Sequence, residues 1–267
     1  MRLAVELAEL LHLDLLGVFL EDTSLLDLAG IPFSREFRPL GGGWHAIDLE
    51  RLLHDFELAA RSIERKFMGA AKRLPTGYQF EVARGSLAKT FAAVSRRDDI
   101  VMIVEPQSPA ERATQQFSWL LEAAFRSAAA VMLVPPDITR TKGPVAAIAT
   151  SPDDPSIRAA AAIALAAKEE LVIIEADGRD SDNPGIRTLA ADTSLSIKHV
   201  AAAKIGLADP AACTMAFRQL QERLIVMTRG AFTDQAASAI AATRRVPVLV
   251  VEPSGMTAGE TGPAPAH

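Results

Sequence analysis

Three residues of this chain stand where a parallel sheet would bring polar groups together. Thr150 follows the apolar run 145–149, and Arg229 and Gly230 follow the apolar run 224–227. A hydroxyl, a guanidinium and a glycine at the ends of neighbouring strands could hold a nucleotide phosphate or another small anion. We therefore take Thr150, Arg229 and Gly230 as a candidate residual anion or nucleotide site. The simpler alternative for Arg229 is a solvated surface arginine.

The segment after Thr150 contains two aspartates, Asp153 and Asp154, between prolines and serines. Asp and Ser side chains accept hydrogen bonds from the free N–H groups of a first helical turn, and proline is favoured there. We therefore favour a turn and helix N-cap over a ligand-binding role for these two carboxylates.

Other residues that could do chemistry lack the necessary spacing. The histidines at 12, 45, 54 and 199 form no close metal-binding pattern, and no serine lies in a G-x-S-x-G turn. Gly41–Gly43 is neither preceded by a strand nor followed directly by Lys and Ser/Thr, so it is no P-loop. The sequence predicts no catalytic residue, metal site or cofactor.

Composition restricts the partners and the compartment. The net charge is −5 over 267 residues, and no basic stripe for nucleic acid is present. The pairs Arg96-Arg97 and Arg244-Arg245 end predicted helices, where a cation favours the helix dipole. Cys213 is the only cysteine, and no apolar run is long enough for a membrane helix. We expect a cytoplasmic protein that binds neither nucleic acid nor membrane.

Strands and helices alternate along most of the chain, which predicts parallel βαβ units. The predicted strands are 15–20, 78–83, 100–104, 131–134, 145–149, 171–174, 197–201, 224–227 and 246–251. The predicted helices are 3–12, 47–72, 86–93, 109–128, 155–167, 186–191, 210–220 and 233–243. The stretch 21–46 is predicted to be irregular.

The order repeats, and two pairs of segments are alike. The run 99–103 resembles 223–227, and 130–135 resembles 247–253. This doubled pattern, with the run Val246–Val251 after an Ala-rich helix, resembles the universal stress protein family. The resemblance implies an α/β fold of two tandem doubly wound parallel-sheet domains, at 1–136 and 144–253. The Gly- and Pro-rich residues 254–267 are predicted to be a disordered tail.

The resemblance also implies that the two halves pair internally through their last strands, and it leaves a homodimer open. Members of the family that bind ATP carry spaced glycines and a Ser/Thr after the fourth strand. In the first half those positions hold Val104, Gln107, Phe117 and Ser118, with Glu105 adding negative charge. In the second half only Gly230 is retained. We therefore expect neither half to hold ATP in the family manner.

The first half differs from the second in its opening. The second half begins with a strand at 145–149, whereas the first begins inside a helix and so lacks its first strand. We expect either another segment to take that strand's place or the natural chain to start upstream of Met1, and favour the latter. The segment 21–46 is unusually apolar, with Ile31 and Phe33 among its members. We expect it to cover the degenerate nucleotide-binding crevice or to dock a protein partner, and favour the former because exposed apolar patches are uncommon.

The sequence thus predicts a non-catalytic binding or regulatory protein of the stress-response type. Two alternatives stay open. One is the residual site at Thr150, Arg229 and Gly230, and the other is an adenylyl-transfer enzyme of the related α/β superfamily, for which no phosphate loop is found.

Overall fold

A computed structural model describes most of the chain. The described residues are 1–23, 26, 31, 33, 35–38, 43–96, 98–128, 130–175, 195–201, 217–231 and 234–253. They form two compact units, Met1–Ser95 and Arg96–His267. The predicted helices at 186–191 and, for the most part, 210–220 lie outside the described residues, as do Cys213 and the tail 254–267.

The first unit combines three helices with two small sheets among its described residues. Its elements are α1 (Arg2–Leu11), β1 (Leu15–Asp22), β2 (Arg35–Arg38), β3 (Gly43–Ala46), α2 (Leu49–Ala71), β4 (Tyr78–Gly85) and α3 (Leu87–Val94). Strands β1 and β4 pair in parallel, from Leu15 opposite Tyr78 to Asp22 opposite Gly85. Strands β2 and β3 form an antiparallel pair within the stretch predicted to be irregular, so that prediction was wrong for these residues.

A close contact between α2 and the β1–β4 pair forms the core of this unit. The rings of Phe67 and Phe80 lie 5.6 Å apart between centroids. A Cβ atom on Gly17 would come within 2.8 Å of the Phe67 ring. Only glycine therefore leaves the space that the aromatic pair occupies.

The second unit is built on one seven-stranded sheet. Its elements are β5 (Ile100–Val104), α4 (Pro109–Arg112), α5 (Gln115–Ser127), β6 (Ala130–Val134), β7 (Val145–Ala149), α6 (Pro155–Ala167), β8 (Leu171–Glu175), β9 (Ile197–Ala201), β10 (Leu224–Thr228), α7 (Asp234–Arg244) and β11 (Val248–Val251). The strand order is β5-β6-β11-β10-β7-β8-β9. Strands β6, β7 and β10 are buried along their whole length, as continuous apolar runs in a covered parallel sheet should be.

The pairing of β6 with β11 joins the two predicted halves. Every other neighbouring pair in this sheet is parallel, whereas β6 and β11 run antiparallel, with Val248 opposite Leu133. The halves therefore pair internally through their last strands. The domain boundaries at 136 and 144 stay a prediction, since the two compact units divide the chain at a different place.

The helix predicted over 109–128 is divided in two. Helix α4 ends at Arg112, and α5 begins after Thr114, whose side chain accepts a hydrogen bond from Phe117 N at 3.3 Å. A side-chain cap of this kind starts a new helix within a run of helical periodicity.

A buried ion cluster, which we call the linker cluster, contacts residues 137–143, the linker between the two predicted halves. It is formed by Glu222, Arg140 and Arg244. The Glu222 carboxylate is fully buried, and its Oε1 accepts from Arg140 at 3.2 Å and from Arg244 Nε at 2.8 Å. Arg140 Nε also donates to the Glu222 carbonyl oxygen at 2.7 Å. Arg244 thus does more than end a helix, because it helps to neutralise a carboxylate out of reach of water.

Candidate functional site

The candidate site lies at the carboxyl ends of β7 and β10. From β7 the chain continues outward through β8 and β9, and then returns to place β10 and β11 on the other side of β7. The boundary between β7 and β10 is therefore the point where the strand order reverses, which we call the switch point. Ligands of open α/β sheets bind at such a point, which is where the sequence places Thr150, Arg229 and Gly230.

Asp154 ties the two strand ends together. Its Oδ2 accepts hydrogen bonds from the backbone N and the hydroxyl of Thr150, both at 2.9 Å. Its Oδ1 accepts from Ser156 N at 3.0 Å and from the hydroxyl of Thr228, the last residue of β10. We call this group the Asp154 latch, formed by Asp154, Thr150, Ser156 and Thr228.

The latch also begins α6. Asp154 is the N-cap of that helix, Pro155 is its first residue, and Ser156 donates its hydroxyl to the Ile148 carbonyl oxygen at 3.1 Å. The predicted N-cap is therefore confirmed. The sequence did not predict the hydrogen bond between Asp154 and Thr228, because the two residues are 74 positions apart along the chain.

Hydrogen bonds set the charge state of Asp154. Burial by itself would raise the pKa of this carboxyl, but hydrogen bonds from Thr150, Thr228 and Ser156 outweigh burial and lower the pKa below its ordinary value. Asp154 thus carries a stable negative charge at the switch point of the sheet.

Arg229 uses other partners. Its Nη1 lies 3.6 Å from Glu252 Oε1, beyond the end of β11, and its guanidinium carbon lies 5.0 Å from the centre of the Phe125 ring on α5. A carboxylate and an aromatic face thus contact the Arg229 side chain, of which 26% stays exposed to solvent. Thr150 bonds to Asp154 and Arg229 to Glu252, so the structure gives them separate partners.

Gly230 is exposed and is needed for its backbone conformation. Its φ of +83° lies in the left-handed region, and a Cβ atom there would meet nothing within 4 Å. The glycine therefore serves the turn after β10 and leaves open space above it. A role for Thr150, Arg229 and Gly230 as one anion site stays a prediction.

In the first half, the positions expected for phosphate-binding glycines are filled by side chains. Phe117 is buried in the first turn of α5, and the Ser118 hydroxyl donates to the Thr114 carbonyl oxygen at 3.3 Å. Val104 ends β5 with its side chain exposed. A buried ring at Phe117 removes the close backbone approach that a phosphate needs.

Glu105 is a buried carboxyl at the end of β5. Its backbone N donates to the Val134 carbonyl oxygen at 2.8 Å, while neither carboxylate oxygen has a well-formed hydrogen bond in the described part of the chain. Burial raises the pKa of Glu105, and the Ser238 hydroxyl and the positive charge of Arg112 offset only part of that effect. The sequence indicated a negative charge here, whereas burial disfavours the charged form.

Metal-binding clusters and membrane helices are both absent from the described part of the chain. No group of three His, Cys, Asp or Glu side chains among the described residues could hold a metal ion. None of the helices described is long and apolar enough to cross a membrane.

The similarity of this chain to known proteins is found in its structure and not in its sequence. No family model matches the chain, and no curated protein matches it. The chain is similar to the crystal structure of a universal stress protein from Archaeoglobus fulgidus DSM 4304, with a TM-score of 0.57 and 13% identity, over 78% of this chain and 81% of that one.

Two Pseudomonas aeruginosa structures give lower scores. One is a putative universal stress protein from strain UCBPP-PA14, and the other is a protein of unknown function from strain PAO1. Each has a TM-score of 0.44 and 18% identity over 90% of this chain, covering 93% and 92% of their own chains respectively. These TM-scores are too low to show a shared fold, so the fold assignment depends on the similarity to the archaeal protein.

This similarity extends over most of both chains, and in this chain the seven-stranded sheet is parallel except between β6 and β11. The predicted fold class is confirmed: the chain has the α/β fold of universal stress proteins.

Proposed function

We propose that this chain is a non-catalytic binding or regulatory protein of the stress-response type, which does not hold ATP in the manner of the ATP-binding universal stress proteins. The observation that carries the proposal is the Asp154 latch. At the switch point of the second half, a buried carboxylate already accepts the hydrogen bonds of Thr150, Ser156 and Thr228.

The electrostatics of the latch support the proposal. The N-terminus of α6 is a place where a phosphate would ordinarily gain from the helix dipole. Here the carboxylate of Asp154 takes that position as the N-cap. Because its pKa is lowered, the group is ionised at neutral pH and repels a second anion.

The loop after β10 supports the same conclusion. Strand β10 ends at Thr228 and α7 begins at Asp234, which leaves only residues 229–233 between them. That loop is too short for the spaced glycines of the ATP motif. It also leads into a helix whose first residue is itself acidic.

The competing function is an adenylyl-transfer enzyme. Such a reaction needs groups that neutralise the phosphates. Arg229, the basic residue directly after β10, is already engaged with Glu252 and Phe125. We therefore assign no catalytic residue.

We also place the protein in the cytoplasm, because a single cysteine cannot form a disulfide within the chain and fits a reducing compartment.

An assay of ATP turnover tests the non-catalytic assignment. Purified chain is incubated with Mg-ATP, and phosphate and pyrophosphate release are followed beside an Arg229→Ala variant purified in the same way. We expect equal background rates for both proteins. Release by the wild-type chain that the variant loses would establish an enzyme and overturn the proposal.

A further inference from the structure

Glu105 and Arg229 occupy equivalent places in the two predicted halves. Glu105 follows β5 and Arg229 follows β10, and each of these strands is the last but one of its half. Their backbone N–H groups make the same hydrogen bond at 2.8 Å, to the carbonyl oxygen of Val134 and of Val251 respectively. The two residues therefore stand on either side of the β6–β11 pair that joins the halves.

Both side chains reach the last helix of the other half. The guanidinium carbon of Arg229 lies 5.0 Å from the centre of the Phe125 ring on α5, in the first half. The carboxyl group of Glu105 faces the hydroxyl of Ser238 on α7, in the second half. An arginine stays charged at any ordinary pH, so only the contact made by Glu105 can change with protonation.

The surroundings of Glu105 suit a neutral carboxyl group. The residue is 2% exposed, and neither carboxylate oxygen has a well-formed hydrogen bond to a described residue. A charge in such a place is costly. One cation lies near, because Arg112 on α4 donates from Nη1 to the Pro106 carbonyl oxygen at 2.8 Å, directly after Glu105. Strand β6 has no titratable residue, and the remaining charged residues of α4 and α7 are Glu111, Asp234 and Arg244.

We propose that Glu105 is a proton-controlled contact between the two halves. In its neutral form the carboxyl group stays buried against Ser238 and holds α7 in place. In its ionised form it turns away from α7 toward Arg112, in its own half, and α7 loosens. Because only residues 229–233 separate β10 from α7, the change also reaches the loop that carries Gly230. The proposal is independent of whether the protein binds a nucleotide.

Burial sets the direction of the pH dependence. It raises the pKa of Glu105 while α7 is closed, and opening of α7 returns the carboxyl group to water and to its ordinary pKa. The closed contact is therefore fully stable below the ordinary carboxyl pKa and is lost as the pH rises through the raised value. Between the two values the equilibrium constant for opening should increase about tenfold for each pH unit.

Hydrogen exchange of backbone amides, followed by NMR on the full chain, measures this opening. After correction for the intrinsic pH dependence of exchange, protection at Ile240 and Ala241 on α7 should fall about tenfold per pH unit within that window. The amides of β7 and β10 should keep their protection. In Glu105→Gln, which is always neutral, protection of α7 should not change with pH. Glu111→Gln removes an exposed charge from α4 and should behave as the wild type does.

A titration of Glu105 itself tests the ionised form. Glutamate labelled with ¹³C at the carboxyl carbon gives the midpoint directly by NMR, and the backbone signal of Gly230 should shift with the same midpoint. Arg112→Gln removes the nearby positive charge and should move the midpoint to higher pH. Arg112→Lys keeps the charge and should leave the midpoint nearly unchanged, which a purely structural role of Arg112 would not explain.

Three results would overturn the proposal. The first is protection of α7 that does not change with pH in the wild-type chain. The second is the same change in Glu105→Gln, because another group would then be responsible. The third is an equal loss of protection in α7, β7 and β10, since Glu105 would then affect only the stability of the whole fold.

Discussion

Asp154 accepts a hydrogen bond from the hydroxyl of Thr228, and this one contact joins the start of α6 to the end of β10. The two residues belong to elements on either side of the switch point. The Asp154 carboxylate also accepts hydrogen bonds from Thr150, so it links the ends of the adjacent strands β7 and β10. It thereby uses polar groups that a bound ligand would otherwise contact. The proposed function depends on this relationship.

Removing the charge of the latch should destabilise the protein. Asp154→Asn keeps the shape of the side chain but replaces an acceptor oxygen with a donor NH₂, which leaves buried groups mispaired. We expect a loss of about 1–3 kcal/mol in the free energy of unfolding, measured by urea denaturation at pH 7. The neighbouring exposed Asp153 provides the matched control, and Asp153→Asn should change stability by less than about 0.5 kcal/mol.

The pH dependence of that loss gives a second measurement on the same pair of variants. The pKa of Asp154 is lowered in the folded state, so its stabilising effect is complete above the ordinary carboxyl pKa and disappears as the pH falls through the lowered value. The difference between wild type and Asp154→Asn should therefore be constant near neutrality and shrink in acid. A difference that grows on acidification would contradict the latch.

Glu105 should show the opposite sign. Its pKa is raised in the folded state, so the folded protein gains stability from this group below the ordinary carboxyl pKa and loses it as the pH rises through the raised value. Glu105→Gln removes the cost of a buried charge and should stabilise the protein by about 1 kcal/mol at pH 8. The gain should disappear near pH 4 in thermal melts.

An exposed glutamate on the neighbouring helix controls for net charge. Glu111→Gln should leave the melting temperature nearly unchanged at both pH values. Equal stabilisation by the two variants would mean that overall charge, and not burial of Glu105, causes the effect.

The linker cluster should be sensitive to loss of its carboxylate. Glu222→Gln leaves Arg140 and Arg244 without their shared negative partner in a buried site, and we expect a loss of about 3–5 kcal/mol in the free energy of unfolding. The exposed pair Glu57–Arg61 on α2 is the control, since Glu57→Gln should cost no more than about 0.5 kcal/mol. Similar costs for the two substitutions would contradict the structural role of the cluster.

Two glycines of the first unit should respond in opposite ways to alanine. Gly17→Ala places a methyl group within 2.8 Å of Phe67 and should destabilise by about 1–3 kcal/mol. Gly69→Ala lies in α2 with nothing within 4 Å of the new methyl group, and should stabilise by about 0.5–1 kcal/mol through helix propensity. Chemical denaturation of both variants measures the two effects against wild type.

Regular patterns in the sequence predicted the sheet of the second unit well. Strands β5, β7 and β9 and helix α6 begin and end at the predicted residues, because continuous apolar runs and the Asp154-Pro155 start are strong local signals. Strands β2 and β3 were missed, since Arg35–Arg38 and Gly43–Ala46 are too short to show alternation. The bond between Asp154 and Thr228 could not be predicted, because it depends on which strands become neighbours in space.

The candidate site was predicted by its place on the sheet more than by its contacts. Thr150 does stand at the end of β7, yet the acceptor for its hydroxyl is a residue predicted only as a cap. Arg229 follows β10 as predicted, but its partners Glu252 and Phe125 come from elements distant along the chain. Position along a strand is a local property, whereas the choice of partner is decided by packing.

The most direct test of the central claim is the thermal stability of the wild-type chain with and without millimolar Mg-ATP. A ligand that binds only the folded state adds about 2.7 kcal/mol of stability at a hundredfold excess over its dissociation constant. The latched switch point predicts no change in melting temperature beyond that caused by the same concentration of magnesium sulfate. A clear increase with Mg-ATP, lost in Arg229→Ala, would contradict the proposed function and establish a nucleotide site in the second half.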